Sequence, residues 1–294
     1  MATSTGTMAL PESSVSADGS IEVHYRDSDH SYRIVKPELG RVVSVTGVIS
    51  AYDKPALVGA AANVTLDGVA ALHKMASDCS PFSDSRALAD ALYKRELRHW
   101  QVWKKAGDRG TFVHAILQAW IEDGRVPTTD DVPDGYREYV RAFGNFVAAH
   151  QPESITSEVI VASARHSYAG RYDWVARLTV ECDVADCGCH RIAEGAGASG
   201  VAMNGATVRI DHKTSKGLYP ENMAQLDLYE VAAVEMGEDQ ADYRAPLRLG
   251  KDGSYEFQVS LLPVGASLPL VGGYRARKQV EELHGFLNPR KGRK

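Results

Sequence analysis

Polar and apolar side chains alternate through Ile21-Glu22-Val23-His24-Tyr25, again through Ser31-Tyr32-Arg33-Ile34-Val35, and in the apolar run Val42-Val43-Ser44-Val45-Thr46. A two-residue period marks a strand with one buried face, so the stretch 21–49 reads as short strands of an N-terminal hairpin. After Tyr52-Asp53-Lys54-Pro55-Ala56-Leu57 the pattern turns helical and Ala-rich to about Met75, and Asp78-Cys79-Ser80-Pro81 is a turn cluster. Leu88, Leu92, Leu97 and Trp100 recur at roughly helical spacing, which predicts a long helix over 85–106 stopped by Gly107. A separate helix is expected over about 110–122, with Asp108 as its cap and Phe112, Ile116, Ala119 and Trp120 as its buried stripe. His114 and Gln118 lie four apart on another face of it. A helix over 134–150 would turn Tyr139, Phe143 and Phe146 inward.

The second half returns to strands. One is expected over 155–161, carrying Glu158, and another over 170–178, carrying Asp173 among apolar neighbours. A carboxylate in such surroundings is costly unless it is paired or bound to a metal. The segment 182–205 is rich in Gly and Ala, lacks periodicity, and reads as an insertion between strands. Next comes Thr207-Val208-Arg209-Ile210-Asp211-His212-Lys213-Thr214, rich in β-branched residues. Alternation puts Val208, Ile210, His212 and Thr214 on one face and Thr207, Arg209, Asp211 and Lys213 on the other. The first face suits a core; the second sets an acid and an amine two positions apart. An amphipathic helix over 220–236 follows, with Met223, Leu226 and Val231 as core candidates and Gln225 and Tyr229 sharing a face. A hairpin turns at Lys251-Asp252-Gly253, and a last helix is expected over 274–286.

Composition narrows the picture only a little. The chain has 294 residues, 44% hydrophobic and 24% charged, as ordinary soluble globular proteins do. No apolar run is long enough to span a membrane. The first twenty residues lack the basic start and apolar centre of a signal peptide and read as a disordered tail of a cytoplasmic protein. Residues 21–294 are expected to form one domain, with 21–106 as an N-terminal elaboration. A net charge of −5 advertises no global attraction to nucleic acid. Locally, Arg275, Arg277, Lys278, Arg290, Lys291, Arg293 and Lys294 outweigh Glu281 and Glu282. That C-terminal helix and tail, 274–294, is either a solvated charged face or a DNA contact. With no export signal, the four cysteines are expected as reduced thiols or metal ligands rather than disulfides.

In order along the chain, the polar positions are His114 on a helix, Glu158 and Asp173 on successive strands, Asp211 and Lys213 on the next, and Gln225 and Tyr229 on the helix after it. The stretches Arg109-Gly110-Thr111-Phe112-Val113-His114, Gly170-Arg171-Tyr172-Asp173, Ile210-Asp211-His212-Lys213-Thr214-Ser215 and Gln225-Leu226-Asp227-Leu228-Tyr229 carry the similarity. Together they resemble the PD-(D/E)XK nuclease superfamily, in particular the RecB-like exonucleases of recombination enzymes, CRISPR-associated exonucleases and many phages. The resemblance spans residues 110–229. Each motif alone is weak; four in the right order on the right types of element are specific. The stretch from Ser44 through Leu57 is similar, less specifically, to the N-terminal part of phage members.

The resemblance implies an α/β fold: a restriction-endonuclease-like core with a central mixed sheet flanked by helices, plus an N-terminal α+β elaboration. It implies a metal-dependent DNA exonuclease, with a structure-selective endonuclease or a catalytically inactive DNA-end-binding module as alternatives. The implied setting is phage recombination or DNA processing, with DNA ends and a recombination protein as partners. Asp173 and Asp211 would hold Mg²⁺ or Mn²⁺ together with His114 and the backbone carbonyl of His212. Lys213 would position or deprotonate the attacking water. Glu158 would bind a second metal or orient water, and Gln225 and Tyr229 would orient the DNA end or support Lys213. Relatives with an iron–sulfur cluster place three cysteines after the Gln–Tyr helix; no Cys follows Tyr229 here, so no cluster is expected. The insertion between Asp173 and Asp211 holds Cys182, Cys187, Cys189 and His190, whose residue types suit zinc but whose spacing fits no standard zinc pattern. Free cysteines in a loop are the default expectation there.

Overall fold

The computed structural model describes residues 12–50, 55–75, 84–128, 130–179 and 204–283. Cys79, the Cys182–His190 group, and the basic residues from Arg290 onward therefore lie outside the described residues. The chain divides into two compact units, one of residues 1–52 with 113–294 and one of residues 53–112.

The larger unit is built on a nine-stranded mixed sheet. Its strands are β1 (Ser13–Val15), β2 (Glu22–Arg26), β3 (Ser31–Lys36), β4 (Gly40–Ser44), β5 (Pro152–Ser163), β6 (Tyr168–Leu178), β7 (Thr207–Lys213), β8 (Tyr243–Leu249) and β9 (Tyr255–Phe257). The order is β1-β2-β3-β4-β6-β7-β8-β9, with β5 paired to β6. The expected N-terminal hairpin thus extends the central sheet through β4, which runs parallel to the start of β6. Two details of this N-terminal part differ from the sequence reading. Residues 13–15 form a strand on β2 instead of belonging to a disordered tail. The expected strand 42–46 ends at Ser44, whose hydroxyl accepts from the Gly47 N–H and starts helix α1 (Val45–Ile49).

Helices cover both faces of the sheet. On one side, α5 (Arg137–His150) packs Tyr139, Phe143 and Phe146 against Trp174, Ala176, Val208, Ile210 and Leu247, with Val113 and Leu117 in the same cluster. On the other, α6 (Pro220–Glu235) packs Ala224, Leu228, Tyr229 and Ala232 against Tyr168, Ala169, Val45 and Ile160. Met223 and Val231, expected in the core, are only half-buried, whereas Leu226 is buried. The last helix, α7 (Leu268–Leu283), begins six residues before the expected start and buries Val271.

The smaller unit contains α2 (Pro55–Met75), α3 (Ser85–Lys94), capped by the Asp84 carboxylate on the N–H groups of Arg86 and Ala87, and the first part of α4 (His99–Asp123). Two helices broken at Gly107 were expected; α4 is continuous from His99 to Asp123. Asp108 is therefore no cap. It lies inside the helix and accepts from Lys104 Nζ at 3.0 Å, one turn back. The buried stripe is also rotated from the expected one: Val113 and Leu117 are buried, while Phe112 is exposed.

Candidate active site

Strand β6 has β5 along one edge for its whole length. Its other edge is shared: residues 168–169 pair with β4, and residues 174–177 pair with β7. Between those two pairings the ladder is open. The last β6–β7 pair is Trp174 with Ile210, so the next residues outward, Asp173 and Asp211, come from facing positions where the strands part. Asp173 occupies the opening. Its Oδ2 accepts from the His212 backbone N–H at 2.7 Å, taking the place of a strand partner.

His114 closes the opening from α4. Its Nε2 donates to the His212 carbonyl oxygen at 3.0 Å, and its Nδ1 lies 3.5 Å from Asp173 Oδ2. An imidazole, a carboxylate and a backbone carbonyl thus converge from three separate elements. One ring nitrogen of His114, one of His212 and an oxygen of Asp173 all lie within 4.8 Å of one another. The His212 ring is buried among Phe143, Trp174 and His114, with centroids 5.5, 5.9 and 5.8 Å away. Burial pushes its pKa down to about 3, so the ring is neutral at neutral pH.

On the α6 side, Asp211 Oδ2 is closely paired with Lys213 Nζ. Gln225 ties the group together. Its Oε1 accepts from Lys213 Nζ at 3.1 Å, and its Nε2 donates to Asp211 Oδ1 at 3.2 Å and to the Tyr229 hydroxyl at 3.0 Å. The four-residue spacing of Gln225 and Tyr229 aims both side chains at the same place. Burial raises the Asp211 carboxyl above its usual range; Lys213 pulls it down and Asp173 pushes it up. Burial also holds the Tyr229 hydroxyl protonated, far above its ordinary value.

Glu158 and Asp211 are buried, and neither belongs to the His114–Asp173–His212 group. Glu158 Oε2 forms an ion pair with Arg171, 2.9 Å from its Nε, and the Glu158 backbone takes the left-handed φ of 50° inside β5. Burial first, then the Asp173 carboxylate, pushes its pKa up to about 8 against the pull of Arg171. Arg171 stands in the sequence motif without a role, although its place two residues before Asp173 puts it on the same side of β6. The polar face of β7 is buried too: Arg209 and Asp211 are as deep as Val208 and Ile210. Arg209 is accommodated by the Glu230 carboxylate, 2.8 Å from its Nε, and by the Tyr172 ring at 4.1 Å.

No family model matches the chain, and no curated protein does. One similar solved structure is described as the crystal structure of SSO0001; it shares 14% identity, with a TM-score of 0.28, over 56% of this chain and 71% of that one. A likeness of that degree carries no argument about this chain. No helix among the described residues is long and apolar enough to cross a membrane.

Proposed function

We propose that this protein is a metal-dependent DNA exonuclease of the PD-(D/E)XK type, with a restriction-endonuclease-like core. The observation that supports this most is the pair of polar groups brought side by side at the β6–β7 opening. Asp211, Lys213 and Gln225 meet there on the α6 side of β7, and Asp173, His114 and the His212 carbonyl meet at its edge. Asp173, His114 and the His212 carbonyl, with the Asp211 carboxylate on the neighbouring face of β7, are oxygen and imidazole donors of the kinds that Mg²⁺ or Mn²⁺ takes. Such an ion, when bound by them, supplies Lewis-acid stabilisation of a phosphate oxygen and a water of lowered pKa.

The chain's own groups do the rest. Gln225 and Asp211 hold the Lys213 ammonium at the edge of the site, where it can donate to the attacking water or to the phosphate as negative charge builds on it. Hydrolysis joins the water oxygen to phosphorus and releases one ester oxygen as an alcohol. Tyr229, kept protonated, fixes the Gln225 amide that fixes Lys213, and so acts as a positioning residue. Glu158 and Arg171 form a second pair near Asp173, suited to ordering water or a phosphate beside it.

The test is incubation of end-labelled linear DNA and closed circular DNA, single- and double-stranded, with Mg²⁺, Mn²⁺ or chelator. Shortening of linear DNA with circles left intact is the expected result. Cut circles would make the protein a structure-selective endonuclease, and retention without cutting would make it a DNA-end-binding module. Lys213→Ala should slow cleavage by about 10²–10⁴-fold, the usual contribution of a positioned proton-transfer group. Cleavage at the wild-type rate would remove Lys213 from the reaction.

A further inference from the structure

In the proposed mechanism only the backbone carbonyl of His212 has a role; its side chain has none. That side chain is costly to place. It is 3% exposed, in a box of Phe143, Trp174 and His114 that a leucine would fill without desolvating any polar atom. Its Nε2 is buried with no hydrogen-bond partner among the described residues. Yet the ring reaches the same point as the site's other donors, with Nδ1 3.7 Å from Asp173 Oδ2. Atoms bound about 2.1 Å from one ion can lie at most about 4.2 Å apart. The His114, Asp173 and His212 donors lie within 4.8 Å of one another, so a closure of a few tenths of an ångström brings them to one ion.

We propose that the His212 imidazole is a ligand of the site's cation, making a centre with two nitrogen donors that selects Mn²⁺ over Mg²⁺. The chemistry follows from the donors. Mg²⁺ takes oxygen ligands and gives up water reluctantly; Mn²⁺ also takes oxygen but, as the first ion of the transition series, accepts nitrogen more readily than Mg²⁺ does. A site with His114 alone gains one such preference; His212 adds a second. The inference rests on the nuclease reading only in requiring that a divalent ion bind between His114 and Asp173.

The experiment uses the full chain loaded with Mn²⁺ and no DNA. Electron spin-echo spectroscopy counts the nitrogens bound directly to Mn²⁺, and calorimetry gives the Mn²⁺ and Mg²⁺ affinities, the latter by competition. His212→Leu keeps the backbone carbonyl and the apolar box. Two nitrogens are expected in the wild type and one in His212→Leu. Mn²⁺ affinity should fall by more than the roughly 10–100-fold that loss of an outer-shell partner costs, with Mg²⁺ affinity changing less. A single nitrogen in the wild type overturns the inference and leaves the nuclease reading standing; this result needs no variant to fold. No Mn²⁺ binding by the wild type overturns both.

Discussion

At Asp211 and Glu158 the chain holds two carboxyls where burial works against their charge. Both are pushed upward, Glu158 to about 8, and both have a cationic neighbour, Lys213 and Arg171. For Glu158 the sign is definite. A folded-state pKa above the unfolded 4.5 means that its contribution to stability is fully present below about pH 4.5 and is lost as pH rises through 8. Glu158→Gln, which stays neutral, should therefore gain thermal stability relative to wild type as pH is raised from 5 to 8 in chelator. Paired melting curves across that range check it; a constant difference would show that Arg171 fully neutralises the charge. How the residues read from sequence is uneven. Asp211, Lys213, Gln225 and Tyr229 were legible because a strand and a helix repeat with fixed periods, so spacing alone placed them on common faces. The left-handed backbone of Glu158, its pairing with Arg171, and the approach of the His212 ring to Asp173 were not. They depend on how β6 and β7 part, and no local pattern records that.

At the scale of elements, the site exists because one edge of β6 is divided between β4 and β7. Gly170 lies beside that division, where α1 and α6 come close. A Cβ there would stand 2.6 Å from Tyr229 Cε1 and 2.9 Å from Val45 Cγ2. Gly170→Ala should thus cost about 1–3 kcal/mol, as overpacking of a tight core does, and displace Tyr229 from Gln225. A lowered urea midpoint together with reduced cleavage is the expected pair of readings. An unchanged midpoint would mean that the two helices yield freely. Most strands and helices were foreseeable, since their apolar periods survive in the fold. The break expected at Gly107 was not there. A glycine inside a helix costs only about 1 kcal/mol relative to alanine, and neither Gly107 nor Gly110 takes a positive φ. The Lys104–Asp108 pair spans the first of them within a single helix. Ser44 shows the converse: a hydroxyl cap stopped a strand that β-branched composition alone would have carried further.

For the molecule as a whole, the proposed cation would join groups from α4, β6 and β7, stretches of sequence about a hundred residues apart at the extremes. A ligand that binds only the folded state stabilises the entire larger unit, by about 2.7 kcal/mol at a hundredfold excess over Kd. The net charge of −5 gave no hint of this, since a site made of carboxylates adds to the negative balance while the cations that offset them are local. The most direct measurement is thermal unfolding of wild type and Asp211→Asn, each with chelator and with saturating Mn²⁺. Mn²⁺ is expected to raise the wild-type Tm by about 5–10 °C. Asp211→Asn, freed of a buried charge, is expected to melt no lower than wild type in chelator and to gain nothing from the ion. An unmoved wild-type Tm, or an equal rise in the variant, would refute a cation held by these residues.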